Sequence, residues 1–357
     1  MKAKKVNRTI LVIGMVLGFG FSFLTLNFAT MTASAAEPIV LSMAPSSCPP
    51  PPAEGQTLVF TNQMKLLEER TNGRLKVEIY WGQSLAKARD LVTAGQTGIA
   101  DIVKVNPHYE PGKLPLSGVA HQPGIGTHMW SRARAYWDMM NEEPIKSEIE
   151  QYNLHSIGLA LITDLGMLTN KPVKTIDDIK GNKFAAGGAV GELIKSLGGV
   201  PIHMSPGEEY DLLKKGMTRG ICAPYGAIFD FKFYEAGKYF TSFKLGSRIG
   251  GVAINGDTWK KLPADIRKII DDSWLDMINI AYEDFIATDE KAIKTMKENG
   301  VEFFDPDPSA VAKVLQIQAG MADKWAESLE AKGLPAKEVL ARYTELVEKY
   351  DKVNPYK

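Results

Sequence analysis

The stretch Glu69-Arg70-Thr71-Asn72-Gly73-Arg74-Leu75-Lys76-Val77-Glu78-Ile79-Tyr80-Trp81 holds a helix end, a turn and a strand in succession. Asn72-Gly73 stops the preceding helix, because both residues tolerate a left-handed backbone. Leu75, Val77, Ile79 and Trp81 alternate with Lys76, Glu78 and Tyr80, the period-two pattern of a strand with one buried face. Working back, the spacing predicts a helix over about 55–70 with Leu58, Met64 and Leu67 inward. Before it, Ile39, Leu41 and Met43 alternate as a short strand, and Pro49 to Pro52 hold an extended loop, since proline cannot donate a helical hydrogen bond. Working forward, a helix over about 86–97 and a strand over 99–105 are expected. Strand, helix, strand, helix, strand is the order of an α/β layer.

The same alternation resumes near Ile162. Phe184-Ala185-Ala186 reads as a strand, Val190 to Leu197 as a helix, and Val200, Ile202 and Met204 as a further strand. Ser205-Pro206-Gly207-Glu208 has the form of a helix start, with serine as the cap and proline in the first turn. From Pro263, Ile266, Ile270, Trp274, Met277, Ala281 and Phe285 recur at three- and four-residue steps, and the pattern stops at Asn299-Gly300. A helix of that length exceeds one small lobe and is expected to run along two. Helices over about 309–332 and 335–350 finish the chain.

At the N-terminus, Lys2, Lys4, Lys5 and Arg8 precede the apolar run Ile10 to Phe28, and Ala33-Ser34-Ala35-Ala36 follows. That order is a signal peptide cleaved near Ala36 rather than a retained anchor, so residues 1–36 are expected to be removed and the mature chain not to insert stably in the membrane. Cleavage takes away four of 42 basic residues and no acidic ones, leaving 38 against 42. A slightly acidic body argues against nucleic acid as a partner. The only cysteines are Cys48 and Cys222, read as two free thiols.

Catalytic signatures are missing. The sequence has no G-x-S-x-G elbow, H-E-x-x-H helix, phosphate-binding loop or calcium loop, and its five histidines lack metal-ligand spacing. Glu142-Glu143 and Asp271-Asp272 are paired carboxylates in expected helical stretches, where a solvated face explains them. The expectation is a binding protein without cofactor or metal, not an enzyme.

Glu69 to Tyr80 followed by Gly82-Gln83-Ser84-Leu85 resembles the first lobe of TRAP-transporter solute receptors of the DctP type. Gly98-Ile99-Ala100-Asp101-Ile102, Thr169-Asn170-Lys171-Pro172, Asp178 to Lys183, Leu197 to Pro201, Trp259 to Pro263 and Gly333 to Glu338 fit the same family in order. The resemblance implies a two-lobed periplasmic binding protein fold of the α/β class, with a ligand cleft between the lobes and a long helix spanning both. It implies lobe I from 37–161 plus about 250–285, lobe II from 162–249 plus about 286–340, and a C-terminal helix and tail over 341–357. It also implies a periplasmic receptor that closes over a small organic solute and hands it to the permease subunits of a secondary transporter. A binding protein for another transporter or a sensor, or a secreted enzyme on the same scaffold, remain the alternatives.

For the site, the resemblance points to Asn106, His108 and Tyr109 after the third strand, and to Ala185, Gly187, Gly188, Pro206, Ala223 and Tyr225 in the second lobe. Phe229 and Phe231 join Tyr225 as a candidate aromatic wall. Most relatives carry an arginine where this chain has Ala185, and some carry a second where it has Leu165. Either Arg219 or Arg248 replaces them, with His108 a weaker candidate, or the solute is neutral or largely apolar; the balance tips slightly to the second. A buried carboxylate without a cation costs several kcal/mol.

Overall fold

The computed structural model describes residues 37–357 except Ser47, Thr127, Ser205 and Lys357. The expected signal peptide and the expected serine cap at Ser205 therefore lie outside the described residues. Eleven strands are present among them: β1 (Ile39–Ala44), β2 (Leu75–Ile79), β3 (Ile102–Val105), β4 (Leu154–Ile162), β5 (Gly166–Thr169), β6 (Lys183–Ala185), β7 (Val200–Ile202), β8 (Gly220–Ala223), β9 (Tyr239–Thr241), β10 (Arg248–Asn255) and β11 (Glu302–Phe304). They form two sheets, ordered β2-β1-β3-β10-β4 and β11-β9-β5-β8-β6-β7.

The opening stretch behaves as its pattern dictates. The helix Gln56–Arg70 ends at Thr71, and Asn72 and Gly73 turn the chain at φ 52° and 73°. Strand β2 then buries Leu75, half-buries Val77 and Ile79 and exposes Lys76 and Glu78. Strand β1 lies between β2 and β3, parallel to both. The central strand β3 is buried along its whole length, so its single lysine, Lys104, is only 2% exposed. Strand β10 returns much later in sequence and pairs antiparallel with β3 and β4.

Apolar residues cover both faces of each sheet. Val103, Val105 and Ile249 enter one cluster of the first lobe, and Leu41, Ile102 and Val252 the other. Met167 and Phe184 lie on one side of the second sheet, Leu168 and Ile221 on the other. The long helix, Ala264–Glu298, is about 52 Å long at 1.5 Å per residue. Its stripe changes lobe along its length: Ile266, Ile270 and Met277 pack in the first lobe, as do Ile278, Ala281 and Phe285, while Met296 packs in the second.

Three expected elements differ. The helix expected over 86–97 is confined to Leu91–Gln96, because the Gln83 side chain accepts the Ala88 N–H at 2.9 Å and folds the preceding residues into turns. The helix expected over 309–332 is two, Pro308–Ala319 and Met321–Glu330, broken at Gly320. Ala310 and Val314 of the first piece pack in the second lobe, whereas Ala322, Ala326 and Leu329 of the second piece pack in the first, so the break lies where the chain changes lobe. Glu142-Glu143 lies just past the helix Met129–Asn141, not within one; Glu142 accepts both Arg342 Nε and Nη2 at 2.9 Å. The last helix, Ala336–Lys352, buries Val339, Tyr343 and Leu346 in the first-lobe cluster.

Candidate functional site

Between the two sheets lies a cavity with about 980 Å³ of space free of protein atoms, part of it open to solvent. Its first-lobe wall comes from the ends of β3 and β10, the strands the sheet brings together from distant parts of the sequence. Asn106 follows β3 and is buried; its Oδ1 accepts the His108 N–H at 3.0 Å and its carbonyl accepts the Tyr109 N–H at 3.1 Å. Those two bonds curl the loop so that both rings face the cavity. Beside it, β10 approaches closely because it is bare at Gly250, where a Cβ would sit 2.7 Å from the Val105 carbonyl.

Two cations enter this space from the first lobe. Lys104 Nζ donates to Gln56 Oε1 at 2.7 Å, and burial lowers its pKa to about 8. Arg248 opens β10; burial works against its charge, and its electrostatic neighbours are Tyr109, Glu209 and Cys222. Among the described residues its side chain makes no hydrogen bond and no ion pair, although its backbone pairs with β4. Lys104 pairs in register with Val252, so the two cations share a face of the sheet with about 14 Å between their positions along the strand direction.

The second lobe answers with carboxyl groups that burial pushes towards neutrality. Glu209 rises to about 7, burial outweighing the attraction of Arg248. Asp230 rises to about 6, although its Oδ1 accepts the Glu54 N–H across the lobes at 2.8 Å. Phe231, Phe233 and Phe285 supply apolar wall, with the first two rings stacked at 5.6 Å. Cys48 and Cys222 line the cavity from opposite lobes and are both free. Burial raises them to about 11 and about 12, which leaves both as thiols at neutral pH.

The residues singled out from sequence divide cleanly. Asn106, His108, Tyr109, Gly187, Ala223 and Arg248 line the cavity. Gly188 lines a neighbouring outer groove and touches His108. Ala185 is fully buried in the second-lobe core, its neighbour Ala186 taking the place at the wall. Pro206 begins the helix Pro206–Lys214. Arg219 donates to the Pro172 carbonyl at 3.0 Å, at the surface and off the cavity lining. Tyr225 packs on Phe240 at 4.7 Å, and Phe229 lies beneath Lys291, so of the candidate aromatic wall only Phe231 reaches the cavity. Leu165 is core. Lys104, Glu209, Asp230 and Phe285 were not singled out. The lone lysine in Ile102-Val103-Lys104-Val105 is the signal that could have found the first, since an ion inside an apolar strand asks for a partner.

Residues 51–332 match the bacterial extracellular solute-binding proteins, family 7. The C4-dicarboxylate-binding periplasmic protein DctP of Rhodobacter capsulatus is 25% identical over 328 residues, covering 90% of this chain and 96% of its own. The 2,3-diketo-L-gulonate-binding periplasmic protein YiaO of Escherichia coli is 25% identical over 264 residues, covering 71% and 78%. Among solved structures, a TRAP solute-binding protein of Rhodoferax ferrireducens in complex with copurified benzoate superposes with a TM-score of 0.80 at 21% identity, over 88% of this chain and 99% of that one. The two-lobed α/β architecture is thus that of TRAP receptors. By the match over most of its length, this chain belongs to the bacterial extracellular solute-binding protein family 7 and is a TRAP-type solute-binding protein.

Proposed function

We propose that this receptor captures a small monocarboxylate with an apolar body outside the cytoplasmic membrane, by lobe closure, and passes it to a two-subunit TRAP permease. The observation that carries the reading is Arg248: a guanidinium in the cavity wall without a hydrogen bond or ion pair to any described residue. Desolvating such a group is costly, and a carboxylate offers it two parallel hydrogen bonds. This favours the first of the two sequence-based explanations, a relocated cation, over a neutral cargo. The phenylalanine walls suit an apolar body, and Lys104 offers a donor to a hydroxyl or carbonyl further along it. Solved relatives in complex with benzoate, 3-hydroxybenzoate and mandelate are in keeping with that chemistry.

The test is a thermal-shift comparison of benzoate, 3-hydroxybenzoate and mandelate with their matched amides and with succinate. At a hundredfold excess over Kd, linkage gives about 2.7 kcal/mol, or roughly 4 °C for a chain of this size. At least one monocarboxylate should raise Tm saturably while its amide does not. Amides as effective as acids, or succinate alone being effective, would sink the proposal.

Acidity supplies an independent check. A carboxylate held by Arg248 adds negative charge beside Glu209, whose pKa already stands near 7. Its pKa rises further in the complex, the complex takes up protons, and affinity increases as pH falls from 8 towards 6. The expected gain is about three- to tenfold, and Asp230, near 6, adds to it at the acid end. Glu209→Gln should bind tightly already at pH 8 and lose most of the slope. Calorimetric titrations at pH 6, 7 and 8 read this directly; affinity that falls on acidification contradicts it.

A further inference from the structure

Outside the cavity lies a second, wider groove, with about 1770 Å³ of atom-free space including open solvent. The linings of the two spaces meet at His108, Tyr109 and His203. His108 stands 4.9 Å from the Tyr109 ring and 5.0 Å from that of His203, centroid to centroid, both edge-on. Rings at that spacing are in van der Waals contact and leave no passage for a solute. His108 follows β3 of the first sheet and His203 follows β7 of the second, so each lobe carries one leaf of this partition. The leaves close onto bare backbone: a Cβ on Gly187 would fall 2.0 Å from His203 Nδ1, and one on Gly188 would fall 2.8 Å from His108 Nδ1.

The groove beyond the rings carries more positive than negative side chains. Arg89, Lys324 and Lys332 line it and are exposed, and none of them forms a side-chain hydrogen bond or ion pair among the described residues. The one carboxylate in its lining is Glu192. Cations gathered around a low-dielectric cleft raise the local concentration of small anions and speed their arrival.

We propose that this groove is an electrostatic antechamber for the solute and that the His108–Tyr109–His203 rings are the door between it and the binding cavity. The sign of the charge effect rests on the anionic solute proposed above, whereas the route itself does not. Arg89, Lys324 and Lys332 gather the anion, and parting of the lobes separates His108 from His203 and admits it.

Cys48 and Cys222, free and buried behind the door, report passage without any bound solute. Two methanethiosulfonate reagents of similar size serve as probes, one carrying a sulfonate and one a trimethylammonium group, with rates normalised to those for a free thiol. In the native chain at low salt the anionic reagent should label about fivefold faster or more. Reversing the groove charges with R89E, K324E and K332E together should slow it at least fivefold and speed the cationic reagent. His203→Ala should speed both reagents about tenfold. The R89E single variant, at an exposed position, guards against misfolding of the triple and should show a smaller shift of the same sign. Labelling within twofold of native in R89E and in the triple variant overturns the antechamber, and unchanged labelling in His203→Ala overturns the door. Benzoate binding is scored separately, so either result alongside a saturable benzoate shift removes this inference and leaves the receptor reading standing.

Discussion

Replacing Arg248 with methionine should weaken binding of the carboxylate solute by roughly 30- to several thousandfold, the 2–5 kcal/mol of a desolvated charged contact. The same change should leave the empty protein as stable as before, or more so. Burial outweighs the favourable influence of Tyr109 and Glu209 on the charge of Arg248, so methionine removes a desolvation penalty while keeping much of the volume. That opposition, affinity lost with stability kept, distinguishes a ligand-holding residue from a structural one, whose removal lowers both. Arg248→Lys should lose about tenfold or more, since an ammonium group cannot make the two-pronged contact. Arg219→Met is the control: its guanidinium reaches the Pro172 carbonyl at the surface, and binding should not change. Calorimetry for Kd and thermal denaturation for stability measure both arms. Affinity of Arg248→Met within threefold of the native value would falsify the assignment.

The contrast between those two arginines shows what the sequence could and could not disclose. Both were candidates to replace the arginines missing at Ala185 and Leu165. Arg248 reaches the cavity because β10 pairs with β3, Gly251 opposite Val105, after a long excursion through the second lobe. That long-range register decides which side chains face the cleft, and local periodicity carries no information about it. Local signals served well where the physics is local: the alternation of β2, the Asn72-Gly73 stop and the stripe of the long helix all appear as expected. They failed at Gly320, where a periodic pattern continues on both sides but changes its partner lobe. Ala185 shows the same limit at the scale of one residue. Its position on β6 faces the core while Ala186 faces the cavity, a one-residue difference that flips the side chain to the other face of the strand.

The lobe junction itself gives the second large effect. Gly188→Val should weaken solute binding about thirtyfold or more, through closure and not through lost contacts. Gly188 opens the helix Gly188–Ser196 at φ 57°, and a Cβ there would meet His108 Nδ1 of the facing lobe at 2.8 Å. Two costs arise and can be separated. A β-branched residue at positive φ is strained by about 1–3 kcal/mol in every conformation, which lowers Tm without touching affinity. The clash with His108, by contrast, exists only while the lobes meet, so it lowers the fraction of closure-competent molecules and the apparent affinity in proportion. Gly181→Val isolates the first cost: Gly181 has φ 69° with nothing within 4 Å of its would-be Cβ. It should lose stability alone. Gly188→Ala, with the same first carbon and less strain, should retain most of the affinity loss with a smaller fall in Tm. Small-angle scattering with saturating solute should show Gly188→Val more extended than the native complex, and Gly181→Val indistinguishable from it. If Gly188→Val binds as tightly as Gly181→Val, the His108–Gly188 contact does not govern closure.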